Sequence, residues 1–145
     1  MTIRFFLHCI EYKIRDKRKI KTWIAKILAD HNKTGGEINI IITNDYELNK
    51  INKKYLKRNN YTDIITFDYS TESEINGELF ISIERIQENS INYRVSEKNE
   101  LLRVIIHGLL HLIGYDDNEK KRIRKMKSME NYYLVNYFKN ESKNM

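Results

Sequence analysis

His107 and His111 stand four positions apart in the segment 95–117, which reads VSEKNELLRVIIHGLLHLIGYDD. On a helix that spacing is one turn, so both imidazoles project from the same face and converge on one point. Imidazoles so placed can bind a divalent metal, and the same spacing occurs in the zinc helices of zincin hydrolases. Three residues beyond His111, Gly114 can adopt a left-handed conformation that ends the helix and reverses the chain, returning Asp117 toward the histidines. Two imidazoles and one carboxylate suit Zn²⁺, and three protein ligands leave a fourth position for water, the pattern of a catalytic site. The carboxylate makes the set harder and more anionic, so other divalent ions are compatible with it. The competing reading is a pair of core histidines hydrogen-bonded to backbone or carboxylates; Gly114 and Asp117 weigh toward metal.

Zincin proteases carry glutamate directly after the first histidine as general base, and here that position is Gly108, which disfavours peptidase chemistry. A glycine inside an apolar helix costs roughly 1 kcal/mol relative to alanine. Close approach of another backbone or of substrate is one reason to keep it, and helix packing is another.

The histidines need a helix held at depth. Ser96 suits an N-cap, Glu97 and Glu100 suit the positive end of the helix dipole, and Leu101, Leu102, Val104, Ile105, Ile106, Leu109, Leu110, Leu112 and Ile113 surround the helix with apolar side chains. A central, buried helix is expected. Upstream, Ile3 to Ile10 reads as a strand, followed by Ile20, Trp23, Ile24, Ile27 and Leu28 at helical spacing, with Gly35 and Gly36 in a loop from Asn32. Glu37 to Thr43 holds the β-branched run INIIIT. Asn44 or Asp45 then caps a helix with Leu48, Ile51, Tyr55 and Leu56 on its inner side. Asp63 to Tyr69 and Glu78 to Ile83 read as neighbouring strands joined by a polar loop from Ser70 to Asn76, and a helix begins near Glu84. Alternating and then paired elements predict a single α/β (α+β) domain over 1–145: a small mixed sheet of about four strands covered by helices, with the metal site at the end of a central helix.

Composition narrows the class. A chain of 145 residues with 41% hydrophobic and 32% charged residues is globular in type. Arg4, His8 and Glu11 interrupt the first apolar stretch too early for a signal peptide, and no run reaches membrane-spanning length, so a cytoplasmic location is expected with no membrane partner. Cys9 is the single cysteine; it has no disulfide partner in the chain and is expected to be a buried thiol. The net charge of +6 favours polyanions only weakly, since a genome's base composition can also enrich lysine.

The histidine segment HGLLHLIGYDD resembles the bacterial YbeY family of metal-dependent endoribonucleases, the rRNA maturation factors, whose motif is H-G-x-L-H-L-x-G-Y-D-H. His107, Gly108, Leu110, His111, Leu112, Gly114, Tyr115 and Asp116 match, and Asp117 replaces the family's third histidine ligand, one ligand for another. Leu48 with Asn49, then Tyr55, then TDIITFD from Thr62 to Asp68 are similar to upstream family blocks in order. The run Gly77, Glu78, Leu79, Phe80, Ile81 and Ser82 matches the family's Gly-Asp-Ile-x-Ile-Ser strand. Two positions depart: Leu56 stands where the family has an arginine that could contact phosphate, and Asp68 where it has proline. Arg58, two positions on, would point elsewhere on a helix and is not assigned the arginine's role.

The resemblance implies a zinc-dependent, single-strand-specific endoribonuclease acting in 16S rRNA 3′-end maturation and ribosome quality control, with RNA and the small ribosomal subunit as partners. The alternative is a non-catalytic zinc-containing RNA-binding or ribosome-assembly factor; a hydrolase of small molecules or peptides ranks below both. Asp63 and Glu78 are candidates for orienting a metal ligand or transferring a proton, with a structural carboxylate the simpler reading of each. After Asp117 the run KKRIRKMK from Lys120 to Lys127 places Lys120, Lys121 and Arg124 on a basic face that could hold an RNA backbone, or serve only as a solvated surface. Ile123, Met126, Met129 or Glu130, Tyr133, Leu134 and Tyr137 form its inner stripe. Tyr115, Tyr132 and Tyr133 could stack bases, with aromatic core packing the commoner role.

Overall fold

In the computed structural model, which describes residues 1–57 and 62–143, two strand–helix pairs open the chain. Strand β1 (Thr2–Leu7) leads to helix α1 (Lys17–Asp30), and β2 (Thr34–Thr43) to α2 (Asp45–Ile51), which runs into a π-helical turn, Asn52–Leu56. Strands β3 (Ile64–Asp68) and β4 (Glu74–Ser82) follow, then α3 (Ile83–Tyr93), α4 (Glu97–Ile113) and α5 (Lys120–Lys143). The sheet has the order β1-β2-β4-β3, with β1, β2 and β4 parallel and β3 antiparallel to β4. It is the mixed four-strand sheet with helices that the alternation of elements predicts. No helix of the described residues is long and apolar enough to cross a membrane.

Strand alternation sorts the side chains. Ile38, Ile40 and Ile42 of β2 and Ile75, Leu79 and Ile81 of β4 face one side, where they join Ile20, Ile24, Ile27 and Leu28 of α1 and the apolar residues of α4 in one core. Helix α5 is tied to α1 across this core: Trp23 Nε1 donates to the Tyr133 carbonyl at 3.0 Å, and Tyr133 OH donates to Asp30 at 3.0 Å.

Helix α4 lies close on β3 and β4 because two glycines make room. A Cβ on Gly108 would stand 2.7 Å from Ile64 Cδ1 and 2.9 Å from Leu79 Cδ2, so its small size serves packing against the sheet. At Gly77 a Cβ would meet Leu112 Cδ2 and the Phe67 carbonyl oxygen, each at 2.7 Å. That carbonyl belongs to the paired backbone of β3 and cannot retreat alone. Gly77→Ala is therefore expected to lower stability by about 1–3 kcal/mol, read as an earlier urea midpoint at unchanged slope. An unshifted midpoint would show that β3 yields at no cost.

Several local expectations are corrected. β1 stops at Leu7 rather than Ile10, because the chain turns at Cys9, whose φ is 58°. That turn leaves the thiol exposed instead of buried. β2 begins at Thr34 and β4 at Glu74. The stretches read as loops are thus partly paired: Thr34 N–H donates to the Ser73 carbonyl at 3.0 Å, and the register slips between Gly35 and Ile38. Asn76 fills the slip, its side-chain oxygen accepting from Glu37 N–H at 2.8 Å. Asn44 caps α2, as one of the two expected residues. The inner face of that helix then departs from the expected one. The wider π turn brings Asn52 inward and leaves Tyr55 57% and Leu56 44% exposed.

Candidate metal centre

The ends of α4 are set by the residues the sequence marked. Ser96 Oγ accepts from Asn99 N–H at 3.0 Å. Gly114, at φ 122°, donates its N–H to the carbonyls of Leu110 and His111, each at 3.1 Å, and the chain then turns back. Asp116, held by Arg122 at 2.7 Å, pins the turn to the first residues of α5. The salt bridge holds the Asp116 carboxyl below the usual range. Few residues other than glycine adopt a φ of this kind, so the stop and the return are built into Gly114.

The return brings Asp117 to the histidines. The Nε2 atoms of His107 and His111 are 3.1 Å apart, and Asp117 Oδ2 lies 3.7 Å from the first and 3.9 Å from the second. Adjacent nitrogens on a tetrahedral zinc, each about 2.05 Å from the ion, would be about 3.3 Å apart. The observed spacings bracket that edge, so the three donors could hold one ion. They open onto a cleft shared with Leu56, Thr62, Asp63, Ile64, Ile65, Thr66 and Asp68.

Behind His107 stands a group that sequence reasoning placed only as one of two options on an apolar stripe. Glu130 of α5 is 2% exposed, and its Oε2 accepts from His107 Nδ1 at 2.7 Å. Its other oxygen lies 3.4 Å from Arg103, which also pairs with Glu100 at 2.8 and 2.5 Å. Glu100 is 1% exposed, so it is part of a buried ion network rather than a dipole charge in water. A carboxylate on Nδ1 fixes the tautomer that turns the Nε2 lone pair toward an ion.

The charges follow from this arrangement. Burial pulls the His107 pKa down, but the hydrogen bond and charge of Glu130, helped by Asp117 and Asp63, outweigh it and leave the value raised. Burial and the neighbouring His107 lower the pKa of His111, which favours the neutral form that ligates. Burial raises the pKa of Asp63, partly offset by Arg103 and His107. A carboxyl whose pKa is raised beside a metal cleft is a candidate for proton transfer.

Of the residues singled out in the sequence, His107, His111, Asp117 and Asp63 are brought together. Glu78 is not: it pairs with Phe67 on the sheet face opposite Leu79 and α4, and accepts from Tyr69 OH at 3.0 Å. Lys120, Lys121 and Arg124 are exposed on the first turns of α5 and do not line the cleft, while Ile123 of the expected inner stripe is 37% exposed. Leu56 lines the cleft from the π turn, a geometry that often marks functional segments. Arg58 lies outside the described residues.

A family model described as Endoribonuclease YbeY matches residues 8–137. The Endoribonuclease YbeY of Azobacteroides pseudotrichonymphae is 50% identical over 118 residues, 81% of this chain and 85% of that protein. That of Flavobacterium psychrophilum is 40% identical over 129 residues, 89% of this chain and 92% of that protein. The solution structure of TM1509 from Thermotoga maritima covers 99% of this chain and 93% of its own with a TM-score of 0.68; at 24% identity it speaks for the fold alone. The matched span takes in the histidine helix, its glycine stop, Asp117 and the buried Glu130, and the chain belongs to the endoribonuclease YbeY family.

Proposed function

We propose that this protein is a zinc-dependent endoribonuclease that cuts single-stranded RNA, acting in the cytoplasm on the 3′ end of 16S rRNA and in ribosome quality control. The observation that supports it most is the convergence of His107, His111 and Asp117 on one point of an open cleft that also holds Asp63. The donor set fits zinc in spacing and type. When bound, the ion supplies positive charge against a phosphodiester oxygen and acidifies water at its open position. Glu130 orients His107, and Asp63 holds or takes a proton at the attacking or leaving oxygen. Lys120, Lys121 and Arg124 attract the RNA backbone toward the cleft through phosphate contacts, which carry no sequence information.

The family relationship is what supports a partner on the small ribosomal subunit. The reading is tested by incubating purified protein with a single-stranded RNA and with the duplex of the same sequence. The single strand is expected to be cut and the duplex spared, with cutting lost after chelation and restored by zinc. RNA bound but uncut by both the stripped and the zinc-loaded protein would assign it instead as a non-catalytic assembly factor.

The basic face carries its own expectation. Each phosphate contact on single-stranded RNA contributes about 0.7 to the slope of log affinity against log salt. Replacing Lys120, Lys121 and Arg124 with alanine is therefore expected to flatten that slope by about 2 and to weaken binding. An unchanged slope, measured by fluorescence anisotropy, would leave these residues as a solvated surface.

A further inference from the structure

A second group of metal-binding side chains lies away from the histidine cleft, where β1 ends against α2. His8 Nε2 stands 3.6 Å from Cys9 Sγ and 3.5 Å from Glu47 Oε2, and the three donor atoms all lie within 4.8 Å of one another. A tetrahedral zinc with bonds of about 2.3 Å to sulfur and about 2.05 Å to nitrogen would separate those two ligands by about 3.6 Å, and a nitrogen from a carboxylate oxygen by about 3.4 Å. Both observed spacings are those of neighbouring corners of a zinc tetrahedron.

The backbone accounts for the convergence. Successive side chains on a strand point to opposite faces, so His8 and Cys9 could not address one point if β1 simply continued. His8 N–H still pairs with the Ile42 carbonyl at 2.9 Å, and the left-handed turn at Cys9, φ 58°, then swings the thiol to the side of the imidazole. Asn44 holds both halves: its Nδ2 donates to the Cys9 carbonyl at 3.2 Å, and its Oδ1 accepts from Glu47 N–H at 2.8 Å as the cap of α2. The Lys50 ammonium lies 3.6 Å from the same Glu47 oxygen and is the cation that a metal would displace.

We propose that His8, Cys9 and Glu47 form a second divalent metal site, suited to zinc by its thiolate and imidazole, which ties the end of β1 to α2. The inference rests on neither the histidine centre nor RNA cleavage.

Cobalt(II) titration of the reduced protein tests it, since cobalt bound by a thiolate shows a charge-transfer band in the near ultraviolet and Cys9 is the single cysteine of the chain. The His111→Ala variant, with the first centre disabled, is expected to bind one cobalt per monomer with that band. Adding Cys9→Ala should abolish the band and weaken binding by at least ~100-fold, beyond the roughly 10–100-fold that loss of a partner behind a ligand costs. His8→Ala and Glu47→Gln in place of Cys9→Ala should each move the cobalt midpoint upward while keeping some of the band. Absence of the band at full loading, a band requiring two chains per cobalt, or midpoints unmoved by His8→Ala and Glu47→Gln would each overturn the site.

Discussion

Replacing His111 with alanine is expected to empty the histidine cleft of metal and to reduce single-stranded RNA cleavage by at least ~100-fold, since metal charge stabilisation is worth several kcal/mol and each 1.36 kcal/mol is a factor of ten. Metal analysis of the purified variant gives the first quantity, and cleavage beside the wild type gives the second. The loss follows from ligand number, because two remaining donors rarely retain a catalytic ion. The fold should survive, since His111 lies on the cleft side of α4, while Leu110 and Leu112 on either side of it point into the core. Asp117→Ala should behave similarly. Asp117→His should keep both metal and activity, because it exchanges a carboxylate for the imidazole found at that position in the family motif. Wild-type metal content in His111→Ala would remove the centre altogether, and wild-type cleavage without metal would separate the nuclease from it.

The part of the centre carried by local rules was legible in the sequence. Ser96 as a cap, a four-residue histidine spacing and Gly114 followed by Asp117 are each a short-range pattern, and each side chain stands where that pattern directs. Asp63 enters as a candidate only with the family resemblance of the block Thr62 to Asp68, and its place beside His107 depends on how closely β3 approaches α4. That distance is set by Gly77 and Gly108 from two distant segments. Glu78 illustrates the converse. Strand parity, fixed by pairing with Phe67, sends its carboxylate to the other face of the sheet.

Tertiary contacts hid the rest. Tyr55 and Leu56 sit at positions where an α-helix would turn them inward, and a π turn, which has no strong residue signature, rotates them out. Cys9 falls within the apolar run Ile3 to Ile10 and so reads as core, yet β1 ends two residues earlier, at Leu7. Glu130 did leave a signal. It falls at the buried position between Met126 and Tyr133 or Leu134, and a carboxylate on an apolar helical stripe requires a partner. The i, i+3 pair of buried Glu100 and half-buried Arg103 on apolar α4 was the matching signal, because a buried carboxylate with a cation beside it implies further polar company.

Glu130 is therefore expected to govern both metal affinity and the acid behaviour of the centre. Glu130→Gln keeps an acceptor for His107 Nδ1–H but removes the charge, and a loss of this kind behind a metal-binding histidine weakens affinity by about 10–100-fold. Glu130→Ala removes the acceptor as well and leaves the His107 Nδ1–H without its partner, at a cost of about 1–3 kcal/mol in stability, while Arg103 keeps Glu100. The pH dependence carries a sign. In the metal-free protein Glu130 helps to raise the His107 pKa above its ordinary value. The charged pair thus contributes stability in full below about pH 6.5, the unfolded imidazole value, and loses it as pH rises through the raised folded value. The stability gap between wild type and Glu130→Gln, read by denaturation with chelator present, should be widest in mildly acid solution, above the ordinary carboxylate range, and shrink as pH rises, down to what the Arg103 contact contributes. Histidine NMR titration should show the His107 pKa fall in the variant. A gap that is flat with pH, or an unmoved His107 titration, would mean that Glu130 serves the packing of α5 and not the imidazole it touches.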